Sequence, residues 1–222
     1  PDQLQHAFVS AEDADFYTHG GLDFGGIMRA VWLMVTTGSK HVPGGSTITQ
    51  QVARNFFLSS EVTFTRKISE MFLALRIENT LSKDEILTLY LNKAFFGNRA
   101  YGVAAAAEFY YGKTLDQLSL PENAMLASLP KFPSTGNPLA NRTRATQRRD
   151  YVLGRMFENN YIDAEKLEAA RREPDLAYAH EPPIDVDAAY LAEMVRQQAI
   201  ALLGNAAMDD GYVIHPTITS PP

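Results

Sequence analysis

The chain has 222 residues, 45% of them hydrophobic, and a formal net charge of −6. That apolar content supports one sizeable core, or one core plus an appendage, and the acidic balance argues against a nucleic-acid partner. The absence of cysteine excludes disulfides, thiolate metal sites and a cysteine nucleophile, and fits a cytoplasmic or an exported bacterial protein equally. No signal peptide is visible, and no run reaches the ~20 apolar residues of a bilayer span. The sequence opens inside a helical pattern, so it is expected to be part of a longer protein.

The stretch Ser10 to Gly20, Ser-Ala-Glu-Asp-Ala-Asp-Phe-Tyr-Thr-His-Gly, carries the first chemical signal. As a helix it would place Phe8, Glu12, Phe16 and His19 on one stripe. A carboxylate sharing a stripe with two phenylalanines is expected to be partly desolvated, which raises its pKa toward the range of general acid–base work. The alternative is a structural ion pair with a neighbouring arginine.

Gly20 and Gly21 break the pattern, and a second helix is expected from Phe24 to Val35. It is apolar almost all round, with Arg29 its one charge. Core is the default for such a helix. The alternative is a segment in a membrane interface, which suits Trp32 and the methionines. Gly38 to Gly45 reads as a loop. Ser46 then caps a helix to about Phe57, whose first turns hold Thr47, Thr49, Gln50 and Gln51. A helix start after glycines offers free N–H groups to an anion or to sugar hydroxyls, and Arg54 follows on the same helix.

From about Thr65, Ile68, Met71, Phe72 and Leu75 predict an apolar helix face, with Arg66, Lys67 and Glu70 opposite. The cations precede the glutamate and sit near the positive end of the helix dipole, against local preference. That placement points to an external anion such as a pyrophosphate. Ser82 and Glu85 form a capping box for a helix through Asn92, and Ser119 and Glu122 form another, with Pro121 in its first turn. Val103 to Tyr111 reads as a buried alanine-rich helix. Pro130, Pro133 and Pro138 predict an extended segment. A basic helix follows from about Asn141 to Asn159, then a short one capped by Asp163. A boundary is placed at Pro174, dividing residues 1–173 from 174–222. The second part holds a helix from Asp187 to Leu203 and a strand from Tyr212 to Ile218.

Two short matches mislead. Asp13-Ala14-Asp15 spells a glycosyltransferase metal motif but lies in helical context. Ser128-Leu129-Pro130-Lys131 spells Ser-x-x-Lys, but its companion motifs are absent.

Four motifs in order carry a specific resemblance: Glu12-Asp13-x-x-Phe16-x-x-His19-x-Gly21; Gly45-Ser46-Thr47-Ile48-Thr49-Gln50-Gln51; Arg66-Lys67-x-x-Glu70; and Ile86-Leu87-x-x-Tyr90-Leu91-Asn92. From about Ala7 to Met156 the chain resembles the peptidoglycan glycosyltransferase domain of class A penicillin-binding proteins, glycosyltransferase family 51. The family form has Gly directly after His; here Gly20 takes that place and Gly21 follows. The tail from Tyr190 to Ile218 resembles the linker toward a transpeptidase domain.

The resemblance implies a mainly α, lysozyme-like fold with a membrane-proximal lobe and a short α/β linker segment. It implies polymerisation of lipid II onto a nascent glycan strand, with release of undecaprenyl pyrophosphate, at the outer, periplasmic face of the bacterial cytoplasmic membrane. Glu12 matches the general base. Glu70 matches the second carboxylate, acting at the pyrophosphate directly or through a divalent cation, Mg or Mn, for which Glu70 would be the metal ligand. Ser46, Thr49, Gln50, Gln51, Arg54, Arg66 and Lys67 would line the donor side, with His19 and Asn92 completing the motifs. The full-length protein is expected to carry a transpeptidase domain and an N-terminal membrane anchor. The rival readings are a lysozyme-like glycan-cleaving enzyme with Glu12 as general acid, and a non-catalytic peptidoglycan-binding module.

Overall fold

Capping chemistry sets most of the element boundaries. The computed structural model describes residues 1–37, 46–58, 63–180 and 189–204. These contain α1 (Asp2–Glu12), α2 (Phe24–Thr37), α3 (Ile48–Phe57), α4 (Phe64–Glu78), α5 (Lys83–Lys93), α6 (Val103–Tyr111), α7 (Leu120–Ser128), α8 (Arg142–Glu158), α9 (Ala164–Arg172) and α10 (Ala189–Leu203). The mainly α expectation holds. The only β pairing among the described residues is a bridge between Phe95 and Tyr101. The expected strand at Tyr212 to Ile218, the loop from Gly38 to Gly45 and a helix start at Asp187 lie outside the described residues.

Ser82 and Glu85 form the expected capping box at α5, and Glu122 reaches back to the Ser119 N–H at α7. Asn141 and Asp163 cap α8 and α9. Each such cap is worth about 1 kcal/mol. At α3 the cap is Thr47, not Ser46. The Thr47 hydroxyl accepts from the Gln50 N–H while the Gln50 side chain accepts from the Thr47 N–H. This box accounts for two of the polar residues in the first turns of the helix, Thr47 and Gln50.

The helix expected through Gly20 stops at Glu12. Asp13 is extended, with φ −161°, and residues 14–18 form turns. The Asp13 carboxylate accepts from the Ile48 N–H (2.9 Å) and contacts His19 Nε2 (2.9 Å). Such side-chain bonds to distant partners compete with continuation of the helix. Phe8 and Phe16 are both fully buried all the same.

The chain divides into two units, Pro1–His180 and Glu181–Pro222. In the first, α7 packs on α1 and α8, while α3 packs on α4 and α5. Phe8 lies at the junction, edge-on to Tyr90 and to Phe96. Residues 174–180 pack on this unit. Arg149, itself buried, donates to the Glu173 carbonyl, Arg142 donates to the Ala177 carbonyl, and the His180 N–H donates to the Phe109 carbonyl. Gly112 closes α6 in the left-handed region, where a Cβ would strike the His180 ring.

Three expectations fail locally. The segment around Pro130, Pro133 and Pro138 is a series of turns, not an extended strut. Asn137 folds it by accepting from the Leu139 and Ala140 N–H groups and donating to the Pro133 carbonyl. On α4 the faces are reversed. Glu70 is fully buried, whereas Ile68, Phe72 and Leu75 are exposed, Phe72 at 69%. On α2, core was the default, yet Phe24, Met28, Trp32 and Val35 are all exposed. Periodicity identifies an apolar stripe but not which side of the helix the remaining chain covers, and at α4 the paired charges are the side that is covered.

Candidate active site

Two carboxylates anchor the site. Glu12 is the last residue of α1, where the helix ends against α3. Its Oε2 accepts from Gln51 Nε2 at 2.9 Å, and its Oε1 is buried with no hydrogen-bond partner among the described residues. Burial pushes the Glu12 carboxyl above the usual carboxylate range. The Gln51 bond, then the charges of Arg148, Lys131 and Arg54, pull it partly back. The Tyr90 phenol faces the same carboxylate, is buried without a hydrogen-bond partner among the described residues, and is held well above its usual range by burial and by Glu12.

Glu70 is different. Arg66 Nη1 donates to its Oε2 at 3.1 Å, and Lys67 Nζ donates to its Oε1. Lys67 also donates to the Ser46 hydroxyl at 2.7 Å. The cations expected to await an external anion are therefore already paired with a buried internal one. Lys67 keeps some capacity, since its side chain is 36% exposed. The motif spacing makes this possible, since positions i, i+3 and i+4 share one face of α4.

A divalent cation does not fit Glu70 as it stands. Both of its oxygens are occupied by cationic donors, and no group of three or more His, Asp or Glu side chains able to hold a metal occurs among the described residues.

The remaining expected residues divide by where they point. Thr49 is fully buried and donates to Glu78 Oε1 at 2.5 Å, and Gln50 is spent on the α3 cap. The Thr49 hydroxyl and the Gln50 side-chain oxygen hold α3 in place, while Gln50 Nε2 is buried with no hydrogen-bond partner among the described residues. His19 Nδ1 accepts from the Gly21 N–H, so the proton of the neutral ring is on Nε2, directed at Asp13. His19 thereby orients Asp13. Arg54 acts on Glu12 through its charge. Asn92 is exposed at the end of α5, where its backbone carbonyl lies against Gly102. Ser128 is buried, and its hydroxyl donates to the Met125 carbonyl, which seals off the Ser-x-x-Lys decoy.

Sequence reasoning did not single out Asp13, Glu78, Lys83, Lys131 and Arg148 as parts of the site. Asp13 stood inside the first motif, and Arg148 lies on a helix already noted as basic, so both signals were present. Lys131 was read only as part of the decoy. Glu78 and Lys83 had no signal beyond being charged.

A protein-family model described as transglycosylase matches residues 1–157. The chain belongs to the transglycosylase family. Among curated proteins, this transglycosylase-family chain is 52% identical over 219 residues to penicillin-binding protein 1A of Escherichia coli K12, covering 99% of this chain and 26% of that protein. It is 48% identical over 221 residues to penicillin-binding protein 1A of Pseudomonas aeruginosa, covering 99% of this chain and 27% of that one. The chain thus spans about a quarter of the length of the curated relatives it matches. Among solved structures it is similar to penicillin-binding protein 1A from Haemophilus influenzae. There the identity is 40%, the TM-score 0.49, and the coverage 72% of this chain and 20% of that one.

Proposed function

We propose that this transglycosylase-family domain is a peptidoglycan glycosyltransferase that polymerises lipid II. The observation that carries the reading is the state of Glu12: one oxygen held by Gln51, the other buried and unpaired, on a carboxylate whose pKa burial has raised. Such a group is a stronger base than an ordinary carboxylate and has one oxygen free to receive a proton. In the proposed reaction the acceptor 4-hydroxyl attacks the anomeric carbon of the donor. The new glycosidic C–O bond forms as the bond to the pyrophosphate breaks, Glu12 Oε1 takes the hydroxyl proton, and undecaprenyl pyrophosphate leaves with the bonding pair. Arg66 and Lys67, locked in orientation by Glu70, supply the positive charge at the departing pyrophosphate. No step is routed through a divalent cation, since both Glu70 oxygens already accept from cationic donors.

The exposed apolar residues of α2 (Phe24, Met28, Trp32, Val35), of the α3 end (Phe56, Phe57) and of α4 (Ile68, Phe72) suit a domain that meets a lipid-linked substrate at a membrane surface. On this reading the site works at the periplasmic face of the cytoplasmic membrane. No described helix is long and apolar enough to cross a membrane.

The test is incubation of the protein with lipid II and separation of the products by size. Glycan polymer is the expected result. Release of soluble disaccharide fragments from preformed glycan would instead favour the glycan-cleaving reading, and no reaction with either substrate would favour a binding module.

A further inference from the structure

We propose that Lys83 is a positioning residue for Glu12, acting through two tethers on the first turn of α3. The inference rests on the glycosyltransferase reading only for the activity arm of its test.

Gln51 lies in the first turns of α3, so its reach to Glu12 depends on where that helix starts. Three bonds from outside the helix fix that start. The Ile48 N–H donates to Asp13 Oδ2, the Thr47 hydroxyl donates to the Gly21 carbonyl at 2.7 Å, and the Thr49 hydroxyl donates to Glu78 Oε1. Two of these anchors belong to the turn segment 13–21 that follows Glu12. The third, Glu78, is the last residue of α4.

Lys83, in the first turn of α5, joins the two sides. Its ammonium donates to the His19 carbonyl at 2.6 Å and to Glu78 Oε1 at 2.8 Å, and lies 4.5 Å from the centroid of the buried Phe16 ring. It thus pairs with the Glu78 carboxylate and holds the turn whose His19 ring contacts Asp13. Its side chain is 20% exposed and that of Glu78 11%, so the pair is a partly desolvated strut, not a surface ion pair. Gly21 completes the fit, because a Cβ there would lie 2.7 Å from the Glu78 side chain. Without the ammonium, Glu78 would keep, among the described residues, the Thr49 bond, and the 13–21 turn would be held to α5 by the exposed Tyr17–Asp84 hydrogen bond in place of the partly buried Lys83 strut. The start of α3 would then loosen, and with it the hold of Gln51 on Glu12.

The groups facing Glu12 are Gln51 and Arg54 from α3, Tyr90 from α5, Lys131 after α7 and Arg148 from α8. Lys83 is not among them, so any change it causes at Glu12 must be transmitted. The experiment compares the unmodified protein with Lys83→Met, Lys83→Arg, Gln51→Leu and the Lys83→Met/Gln51→Leu pair. Polymerisation kcat and KM are measured against pH, and the Glu12 carboxyl is titrated separately by carbon-13 NMR. Lys83→Met is expected to lower kcat by about 10- to 100-fold, the scale of a misplaced catalytic group, with KM nearly unchanged. Its acid limb and its Glu12 titration should both move to higher pH, as in Gln51→Leu. The double variant should be no worse than Gln51→Leu alone, and Lys83→Arg should restore most of the loss. Loss of thermal stability with an unmoved Glu12 titration, or losses that multiply in the double variant, would overturn the inference. If Lys83→Met does not fold, Glu78→Gln serves instead: it keeps the Thr49 contact but weakens the Lys83 pair, and an unmoved titration there also overturns it. A protein that forms no polymer defeats the functional reading, and the Glu12 titration still decides the role of Lys83.

Discussion

Glu12 and Glu70 are the same side chain in two opposite states. Glu70 has both oxygens filled by cationic donors on its own helix. Glu12 has one oxygen held by a neutral amide and the other buried with no partner among the described residues, with its cations acting from a distance. The first arrangement fixes a charge, and the second leaves a carboxylate able to gain a proton. Chemistry at such a pair is therefore assigned by partners, not by residue type.

The sharpest way to break this contrast is to remove the proton acceptor. Glu12→Gln keeps the shape and a hydrogen-bonding side chain but cannot take a proton. Polymer formation from lipid II should fall by about 10²–10⁴-fold, the range for a lost general base. Near-normal turnover would remove Glu12 from the chemistry.

Glu70 should instead fail as a structural element. Replacing Arg66 and Lys67 together with alanine leaves a fully buried carboxylate unpaired, which should cost about 3–5 kcal/mol in denaturant unfolding. A change near zero would mean that Glu70 reaches water or neutralises without consequence.

The stability effect of Glu12→Gln should have the opposite sign. A carboxyl whose pKa is raised on folding binds protons more tightly in the folded state. Its stabilising contribution is then present below the unfolded value of about 4.3 and is lost as pH rises through the folded pKa. At neutral pH the variant should accordingly be more stable than the unmodified protein, by on the order of 1 kcal/mol. The gain should shrink as pH falls into the acid range. Thermal unfolding at several pH values checks both the sign and the trend.

The smallest effect in water is expected on the exposed face of α4. Phe72→Ser should change solution stability by within about 0.5 kcal/mol, as an exposed site does, yet reduce retention on lipid vesicles. Unchanged vesicle binding would dissociate this face from the membrane. Trp32, the only tryptophan, gives the parallel optical readout at α2, with a blue-shifted emission expected on adding vesicles.

Much of this was legible in the sequence, for reasons that differ by residue. The capping boxes at Ser82 and Ser119 are local chemistry, so their helices began as expected. The pairing of Glu70 was missed although its partners lie three and four residues away on one helix, because the cation-first order and the helix dipole argued for an external anion instead. Gln51 was legible as a site residue but not as the partner of Glu12, because that bond spans 39 residues. The same limit hid the end of α1 at Asp13, which is set by Ile48 and His19. It also hid the burial of the charged face of α4 and the role of Lys83, whose partners lie on two other segments, the 13–21 turn and α4.

The most direct test of the central claim is the titration of the Glu12 carboxyl carbon, observed by carbon-13 NMR and assigned by its loss in Glu12→Gln. The account predicts a midpoint clearly above the ordinary glutamate value of about 4.3, moving higher still when Gln51 is replaced by leucine. A midpoint at or below the ordinary value would contradict it, because Glu12 would then be no more basic than a carboxylate in water.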